Sequence, residues 1–415
     1  MLRFPRFSRY ALLVLLVPLA WLSFRLFEPL LTWSSGWQAL PADTVLAAGV
    51  STSAPDWQAT AAQADRALRE ARARLDAPAL SAAIMVDGQR VWAGAVGMAD
   101  LAAARPVDLT SVFRLGSSSK AVNGLALGVL MEAGRIDIEK SVRRYLPDLP
   151  ASYEPVTTRL AISHQAGVPD YGLCFCFPIW EHKNRRHFET QRDTLRVFED
   201  RPLLFAPGEG FKYSSYSVNV TGAVMEAIVG RPYGDFIRDA IFKPLGMSHS
   251  ELDVSGAILP KRVAFYEVTE QRYKLADPVD NSIRYPSGGM LSTPSDMLAL
   301  GQAWLGNELL NDATRQRLLT PQRLKDGSDN PQSYALGMRV FKDKKLFDNT
   351  LSTPFYSHHG TAVGSTSYFA IYPEFGLVVS VMMNKGQENL DALAPEANRL
   401  VELFLAQRRL NPPRP

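Results

Sequence analysis

Cysteine is scarce in this chain of 415 residues, which contains only two. Two cysteines exclude a disulfide-rich scaffold. Cys174 and Cys176 lie so close in sequence that a bridge between them would be strained. We interpret them as two ordinary thiols in an apolar loop, with a redox-labile bridge as the alternative. Two thiols alone make a poor zinc site, so the sequence predicts no metal and no cofactor.

A strong net charge is also missing. The formal net charge is +3, and residues 1–36 account for all of it, because they hold four arginines and one glutamate. The remaining residues are therefore electrically balanced. A neutral surface offers no electrostatic footprint for a nucleic acid, so we expect no nucleic-acid partner.

The chain lacks an apolar run of full membrane-spanning length. Its longest candidate is the uncharged stretch Tyr10–Phe24, which is short for a span but suits the core of a targeting signal. Arg25 could extend the stretch by reaching to the interface. No small-residue cleavage site is evident. We therefore favour a signal anchor or transmembrane segment over residues 1–36, with secretion after cleavage as the alternative.

This anchor would place the folded domain on the outer side, periplasmic or extracellular. Residues 37–58 are polar and predict a linker, which leaves residues 59–410 as the domain. Ala79–Val86, a turn at Asp87-Gly88 and the run 90–96 predict a β-hairpin. Strand patterns return within 366–384, while about 117–284 is mostly helical. The sequence thus predicts an α/β (α+β) fold, with an antiparallel sheet flanked by helices and a large helical subdomain inserted.

A serine and a lysine begin the helical region. Ser117 and Lys120 are three residues apart, so at a helix start they share one face. A neighbouring lysine can activate a hydroxyl that is otherwise inert. A capping serine with a solvated lysine would look the same. The tight turn at Gly116 and the apolar run 121–131 favour a buried lysine, and hence a nucleophile.

Two later segments could complete such a site. The Pro207-Gly208 turn leads to Tyr213, just before a helical pattern, where a phenol could share a proton with the serine and the lysine. The segment 356–365 predicts a glycine-broken edge strand. Such an edge lets a substrate backbone approach closely, and His358 could donate a hydrogen bond to it.

The order and separation of these three elements resemble the serine β-lactamase and penicillin-binding protein family. The likeness is strongest to its branch of class C β-lactamases, D-alanyl-D-alanine carboxypeptidases and esterases, and there to the mitochondrial serine β-lactamase-like proteases. It extends over about residues 60–408. Further matching runs are Leu160–Val168, Pro244–Met247 and Gly288–Asp296.

The resemblance implies a β-lactamase/transpeptidase-like fold and a catalytic set. Ser117 would be the acylated nucleophile, Lys120 its proton partner and Tyr213 the general base. The backbone N–H groups of Ser117 and of the strand near Thr361 would form the oxyanion hole.

The resemblance also implies substrate contacts, with two departures from the family pattern. Ser215 stands where relatives have an asparagine, so it reaches less far and offers one donor. His358, with Gly360 after it, stands where relatives usually have lysine. By this resemblance His358 would pair with a substrate carboxylate only when its imidazole is protonated.

The predicted function is a membrane-anchored serine hydrolase that works through an acyl-enzyme on an amide or peptide bond, as a D-amino-acid peptidase does. A carboxylesterase or weak β-lactamase is the alternative. A third hypothesis is a catalytically inactive scaffold protein that binds peptidoglycan or self-assembles. The partner would be a small peptide-like or ester substrate. The segment 171–196 is either a substrate-selecting lid or a surface insertion.

Overall fold

A computed structural model describes residues 14, 16–24, 27, 34–173, 180–387, 389 and 391–410. The strands lie mainly in the first quarter and the last fifth of the chain. They are β1 (Gln38–Ala39), β2 (Gly49–Ser53), β3 (Ala79–Val86), β4 (Gln89–Asp100), β5 (Arg105–Pro106), β6 (Phe113–Arg114), β7 (Glu251–Leu252), β8 (Tyr266–Thr269), β9 (Arg272–Leu275), β10 (Met290–Ser292), β11 (Arg339–Leu346), β12 (Leu351–Ala362), β13 (Ser365–Tyr372) and β14 (Leu377–Met383).

Most helices lie between these two groups of strands. They are α1 (Asp43–Leu46), α2 (Gln58–Arg74), α3 (Ser119–Glu132), α4 (Thr158–Ile162), α5 (Gln191–Leu195), α6 (Ser215–Val229), α7 (Tyr233–Ile237), α8 (Tyr285–Gly288), α9 (Pro294–Leu305), α10 (Asp312–Leu319) and α11 (Ala394–Leu410). A 3₁₀ turn, Gly116–Ser118, leads directly into α3.

One large antiparallel sheet joins the two ends of the chain. Its order is β11-β12-β13-β14-β3-β4-β2, and β14 pairs with β3, for example Val379 with Ile84. The residues between β5 and β11 are therefore an insertion, which is mostly helical. The predicted fold class, an antiparallel sheet with a helical insertion, is confirmed.

The sheet is covered on both faces because its central strands are apolar on both. On one face α2 and α11 pack together, and the ring of Trp57, just before α2, lies 5.5 Å from that of Phe404 in α11. The inserted helices cover the other face, where Phe369 and Ile371 of β13 meet the core of α3 and α9. Burial on both faces fixes the positions of the strands that border the site.

The predicted β3–β4 hairpin is present. Asp87 and Gly88 at its turn have φ angles of 48° and 76°. Two consecutive positive φ angles define the type I′ turn, whose twist matches that of the strands.

The prediction of a linker over residues 37–58 is wrong. Strand β2 pairs with β4, from Gly49 opposite Val96 to Ser53 opposite Trp92. Leu46 of α1 is fully buried. The segment belongs to the folded unit because its small residues form strand β2, which pairs with β4 at the edge of the sheet.

Two other sequence predictions concern the cysteine pair and the N-terminal segment. Cys174 and Cys176 lie outside the described residues. Residues 16–24 are helical, and their apolar side chains are exposed. Within the described ranges, every helix is too short or too polar to cross a membrane.

Candidate functional site

Ser117 and Lys120 meet at the start of α3. The Lys120 ammonium nitrogen lies 3.1 Å from Ser117 Oγ, 3.5 Å from Ser215 Oγ and 2.6 Å from the carbonyl oxygen of Ser287. Its side chain is fully buried. A protonated lysine can donate to all three oxygens, whereas a neutral one can donate to two and accept the proton of Ser117. The geometry therefore suits a group that takes and returns a proton.

Two glycines let strand β12 approach the nucleophile. Gly116 has a φ of +51°, and a Cβ there would lie 2.6 Å from the carbonyl oxygen of Thr361. A Cβ on Gly360 would lie 1.9 Å from the carbonyl oxygen of Leu115 and 2.9 Å from the nitrogen of Ser117. These backbones touch only because both residues lack side chains. The approach brings Thr361 beside Ser117, as the predicted oxyanion hole requires.

Tyr213 lies above the lysine, immediately before α6. The ring centroid of Tyr213 is 5.0 Å from Lys120 Nζ. The ring of His164 packs against the ring of Tyr213, with the ring centroids 4.2 Å apart. The backbone N–H of Lys212 donates to the His164 carbonyl at 3.0 Å, and that of Ser214 donates to His164 Nδ1 at 3.2 Å. His164 thus holds the residues on both sides of Tyr213.

The protonation of His164 follows from these bonds. Because Nδ1 accepts a hydrogen bond from Ser214, the ring proton lies on Nε2. Burial, and then the charges of Lys120 and Arg339, hold the pKa of His164 well below its usual value. The residue therefore stays neutral near pH 7. Its φ of 64° lies in the left-handed region, which residues other than glycine adopt only uncommonly.

Ser215 reaches the lysine from the other side. Its backbone N–H donates to Asp170 Oδ1 at 3.0 Å. Burial raises the pKa of Asp170, and the charge of Lys120 acts against that rise. Asp170 is therefore held at the backbone of Ser215, within electrostatic reach of Lys120.

His358 differs from its predicted role. It is fully buried on β12, and its Nδ1 lies 2.9 Å from the His359 carbonyl oxygen. A carbonyl only accepts, so Nδ1 carries the proton and Nε2 accepts from the Tyr334 hydroxyl at 2.9 Å. Burial, then Arg339 and Lys120, hold the pKa of His358 well below its usual range. The expected imidazolium that pairs with a carboxylate is therefore absent near neutral pH.

Comparisons with known proteins agree with this geometry. The profile of the Beta-lactamase family matches residues 64–403, more than half of the chain. The chain belongs to this family. Family members are serine hydrolases, so the predicted enzyme class and the predicted resemblance are confirmed.

Several relatives of this β-lactamase-family enzyme are known. It is 27% identical to human "Serine beta-lactamase-like protein LACTB, mitochondrial", over 79% of this chain and 77% of that protein. It is 28% identical to "Penicillin-binding protein 4*" of Bacillus subtilis, over 58% of this chain and 55% of that protein. The D-amino acid amidase of Ochrobactrum anthropi SV3 has a similar fold, with a TM-score of 0.71 and 20% identity over 85% of this chain and 99% of that one.

The structure places Ser117, Lys120, Tyr213, Ser215, Gly360 and Thr361 together, and His358 beside them in a supporting position. Sequence reasoning missed four side chains around them: His164, Asp170, Tyr334 and Arg339. His164 stood in a run noted for its family likeness, followed closely by Asp170, so a local signal existed for these two. Tyr334 and Arg339 carried none, because only the fold brings them to Tyr213.

The predicted lid at 171–196 is partly described. Its residue Glu181 is buried, accepts a hydrogen bond from Tyr216 at 3.0 Å and pairs with Arg201. The segment is thus tied to α6 at Glu181. Whether it selects substrates stays a prediction.

Replacing His164 with glycine should impair catalysis without unfolding the enzyme. Glycine relieves the left-handed strain but removes the ring and the acceptor for Ser214. We expect kcat to fall about tenfold to a hundredfold, with a smaller change in KM, because Tyr213 is misplaced rather than lost.

His164→Asn is the matched variant. Asparagine tolerates a left-handed φ and offers an acceptor, so it should recover part of kcat. The measurements are kcat, KM and the melting temperature of both variants. Equal kcat for the glycine variant and the wild type would contradict the positioning role of His164.

Proposed function

We propose that this enzyme hydrolyses an amide or peptide bond of a small peptide-like substrate through an acyl-enzyme on Ser117. The observation that carries the proposal is the 3.1 Å contact between Ser117 Oγ and the buried Lys120 Nζ, beside the ring of Tyr213. The fold shared with a D-amino acid amidase supports an amide substrate.

The reaction follows from the positions of these groups. Ser117 Oγ attacks the carbonyl carbon while its proton passes to Lys120 or Tyr213, and the oxyanion accepts from the N–H groups of Ser117 and Thr361. Collapse breaks the C–N bond, and the same proton goes to the leaving amine. Water then attacks the ester carbonyl while the same groups take its proton. The C–O bond to Ser117 breaks, that proton passes to Ser117 Oγ, and the acid leaves.

Two features make a β-lactam a poorer substrate than an amide. Ser215 has a shorter reach than asparagine, and His358 is neutral and occupied by Tyr334. An ester is the alternative substrate, because it needs the same nucleophile and no amide contact. An idle scaffold is disfavoured by the intact hydrogen bonds from Lys120.

Labelling and a substrate panel test this proposal together. A fluorophosphonate probe should label the wild type on Ser117, which a scaffold would not allow. Hydrolysis of D- and L-amino-acid amides, a matched neutral ester and a penicillin should then rank the amide first by kcat/KM. If the probe labels Ser117 but the enzyme hydrolyses only the ester, the enzyme is an esterase and the amidase proposal is wrong.

We also propose that the N-terminal segment anchors the enzyme to a membrane, with the catalytic domain on its outer side. The arginine flank and the exposed apolar side chains of residues 16–24 support this. Deleting residues 1–36 should give a detergent-free, active enzyme, while the full chain should sediment with membranes.

Deleting residues 1–58 is the informative comparison. That shorter enzyme loses β2 and the buried Leu46, and burial of one leucine alone contributes about 2 kcal/mol. Its unfolding free energy should therefore be lower by at least about that amount. Equal stability of the two shortened proteins would contradict the structural role of residues 37–58.

A further inference from the structure

A second cavity lies in the helical insertion, apart from the catalytic serine. Its volume is about 350 Å³, and cavities that bind small molecules measure about 300–1,000 Å³. Its walls come from the start of α5, the end of α6, the start of α7, strand β7 and the start of α8. Ser117, Lys120 and Tyr213 do not line it. The cavity is therefore separate from the catalytic site.

Acidic side chains outnumber basic ones on the wall of this cavity. Four carboxyl groups line it, those of Glu189, Glu226, Asp235 and Glu251. Among the described residues, Arg238 is the one basic residue on the wall, and it already pairs with Asp235 at 2.6 Å. Neither Glu189 nor Glu251 forms an ion pair with another described residue. The wall therefore carries an excess of negative charge, which favours a cation.

Glu226 has a structural role that fixes it at the wall. Its two carboxylate oxygens accept from the backbone N–H groups of Gln191 at 2.6 Å and Tyr233 at 2.9 Å, at the starts of α5 and α7. Burial raises the pKa of Glu226, and these N–H groups act against that rise. The fold thus explains Glu226 without a ligand. It gives no such explanation for the negative charge of Glu251.

Gln191 gives an independent indication of a ligand. The residue is 2% exposed, and its side-chain amide oxygen has no hydrogen-bond donor among the described residues. A buried acceptor without a donor costs about 1–3 kcal/mol. An amide oxygen only accepts, so the group that would satisfy it is an N–H or O–H donor. Because Gln191 lines the cavity, a ligand bound there can supply that donor.

The rest of the wall suits an organic cation. It includes aromatic and aliphatic side chains, among them Phe242, Leu252, Val254 and Tyr285. Aromatic faces attract ammonium groups, and an apolar wall stabilises a hydrocarbon stem. Within the described ranges, acidic, histidine and cysteine side chains do not form a cluster that could hold a metal ion. These observations favour an amine over a metal ion.

We propose that this cavity is a second ligand site, which binds a small organic amine. The ammonium group would donate to Gln191 and pair with Glu251, and the hydrocarbon stem would pack against Tyr285. An ammonium group satisfies both requirements of the wall, because it is a cation and a hydrogen-bond donor. The assignment does not depend on the substrate that reacts at Ser117, so it holds for an amidase and for an esterase alike.

Calorimetry with ligands of different charge tests this proposal. The full-length enzyme in detergent would be titrated with 1,5-diaminopentane, pentylamine and 1-pentanol. Both amines should bind, and the alcohol should not bind at the same concentrations. Glu251→Gln and Gln191→Met should each raise the Kd of pentylamine about tenfold, as expected for the loss of a hydrogen bond to a charged group. Glu251 is exposed, so its variant should fold even if Gln191→Met does not.

Glu270→Gln is the matched control. Glu270 is exposed, pairs with Arg272 and lies outside the cavity, so its loss removes the same charge and should leave the Kd unchanged. Binding of neither amine, equal binding of the alcohol, or an unchanged Kd in Glu251→Gln would overturn the proposal. An equal rise in Kd in Glu270→Gln would also overturn it, because the amine would then respond only to overall charge. Tighter binding of Mg²⁺ than of the diamine would reject an amine as the ligand.

Discussion

Replacing Ser117 with alanine should lower the hydrolysis rate of an activated ester by at least about 10³-fold, because loss of a true nucleophile removes the covalent route. The melting temperature should hardly change. The serine lies on a backbone that Gly116 and Gly360 position, and its hydroxyl bonds only to the flexible end of Lys120 in the described structure. The measurements are initial rates, fluorophosphonate labelling and thermal unfolding.

Ser119→Ala is the control for this prediction. Ser119 is also buried in the same motif, and its hydroxyl has no hydrogen-bond partner within the described residues. Its removal should leave both rate and stability close to those of the wild type. More than about a tenth of the rate remaining in Ser117→Ala would reject Ser117 as the nucleophile.

Local spacing explains why the sequence predicted the centre of the site. Ser117 and Lys120 are neighbours on a helix face, and that relation needs only the period of the helix. The β3–β4 hairpin was predictable for a similar reason, because Asp87 and Gly88 favour the turn by themselves. The strand patterns at Ala79–Val86 and within 366–384 correspond to β3, β13 and β14.

Long-range packing explains what the sequence did not indicate. Arg339 comes near Tyr213 only through the register of β11 against β12, which no local pattern encodes. The neutrality of His358 arises from burial and from Tyr334, 24 residues away. Residues 49–53 are small and polar enough to suggest a linker, yet they complete a sheet edge supplied by a distant hairpin.

Lys120→Arg should lower kcat by at least about 10³-fold even though the positive charge is kept. Arginine cannot give up its proton, and its planar head is larger than the ammonium group that contacts Ser287, Ser215 and Ser117. Lys140→Arg, an exposed position, is the matched control and should be neutral. The measurement is kcat for an ester and an amide in both variants.

Lys120→Met separates proton transfer from structure. Methionine leaves the Ser287 carbonyl without its donor and Asp170 without its nearby cation, so stability should fall by about 1–3 kcal/mol. Adding Asp170→Asn should recover part of that loss, because the carboxylate no longer needs a counter-charge. Rates should stay low in the double variant. An active arginine variant would show instead that Lys120 supplies only charge, and the proton of Ser117 would then have to pass to Tyr213.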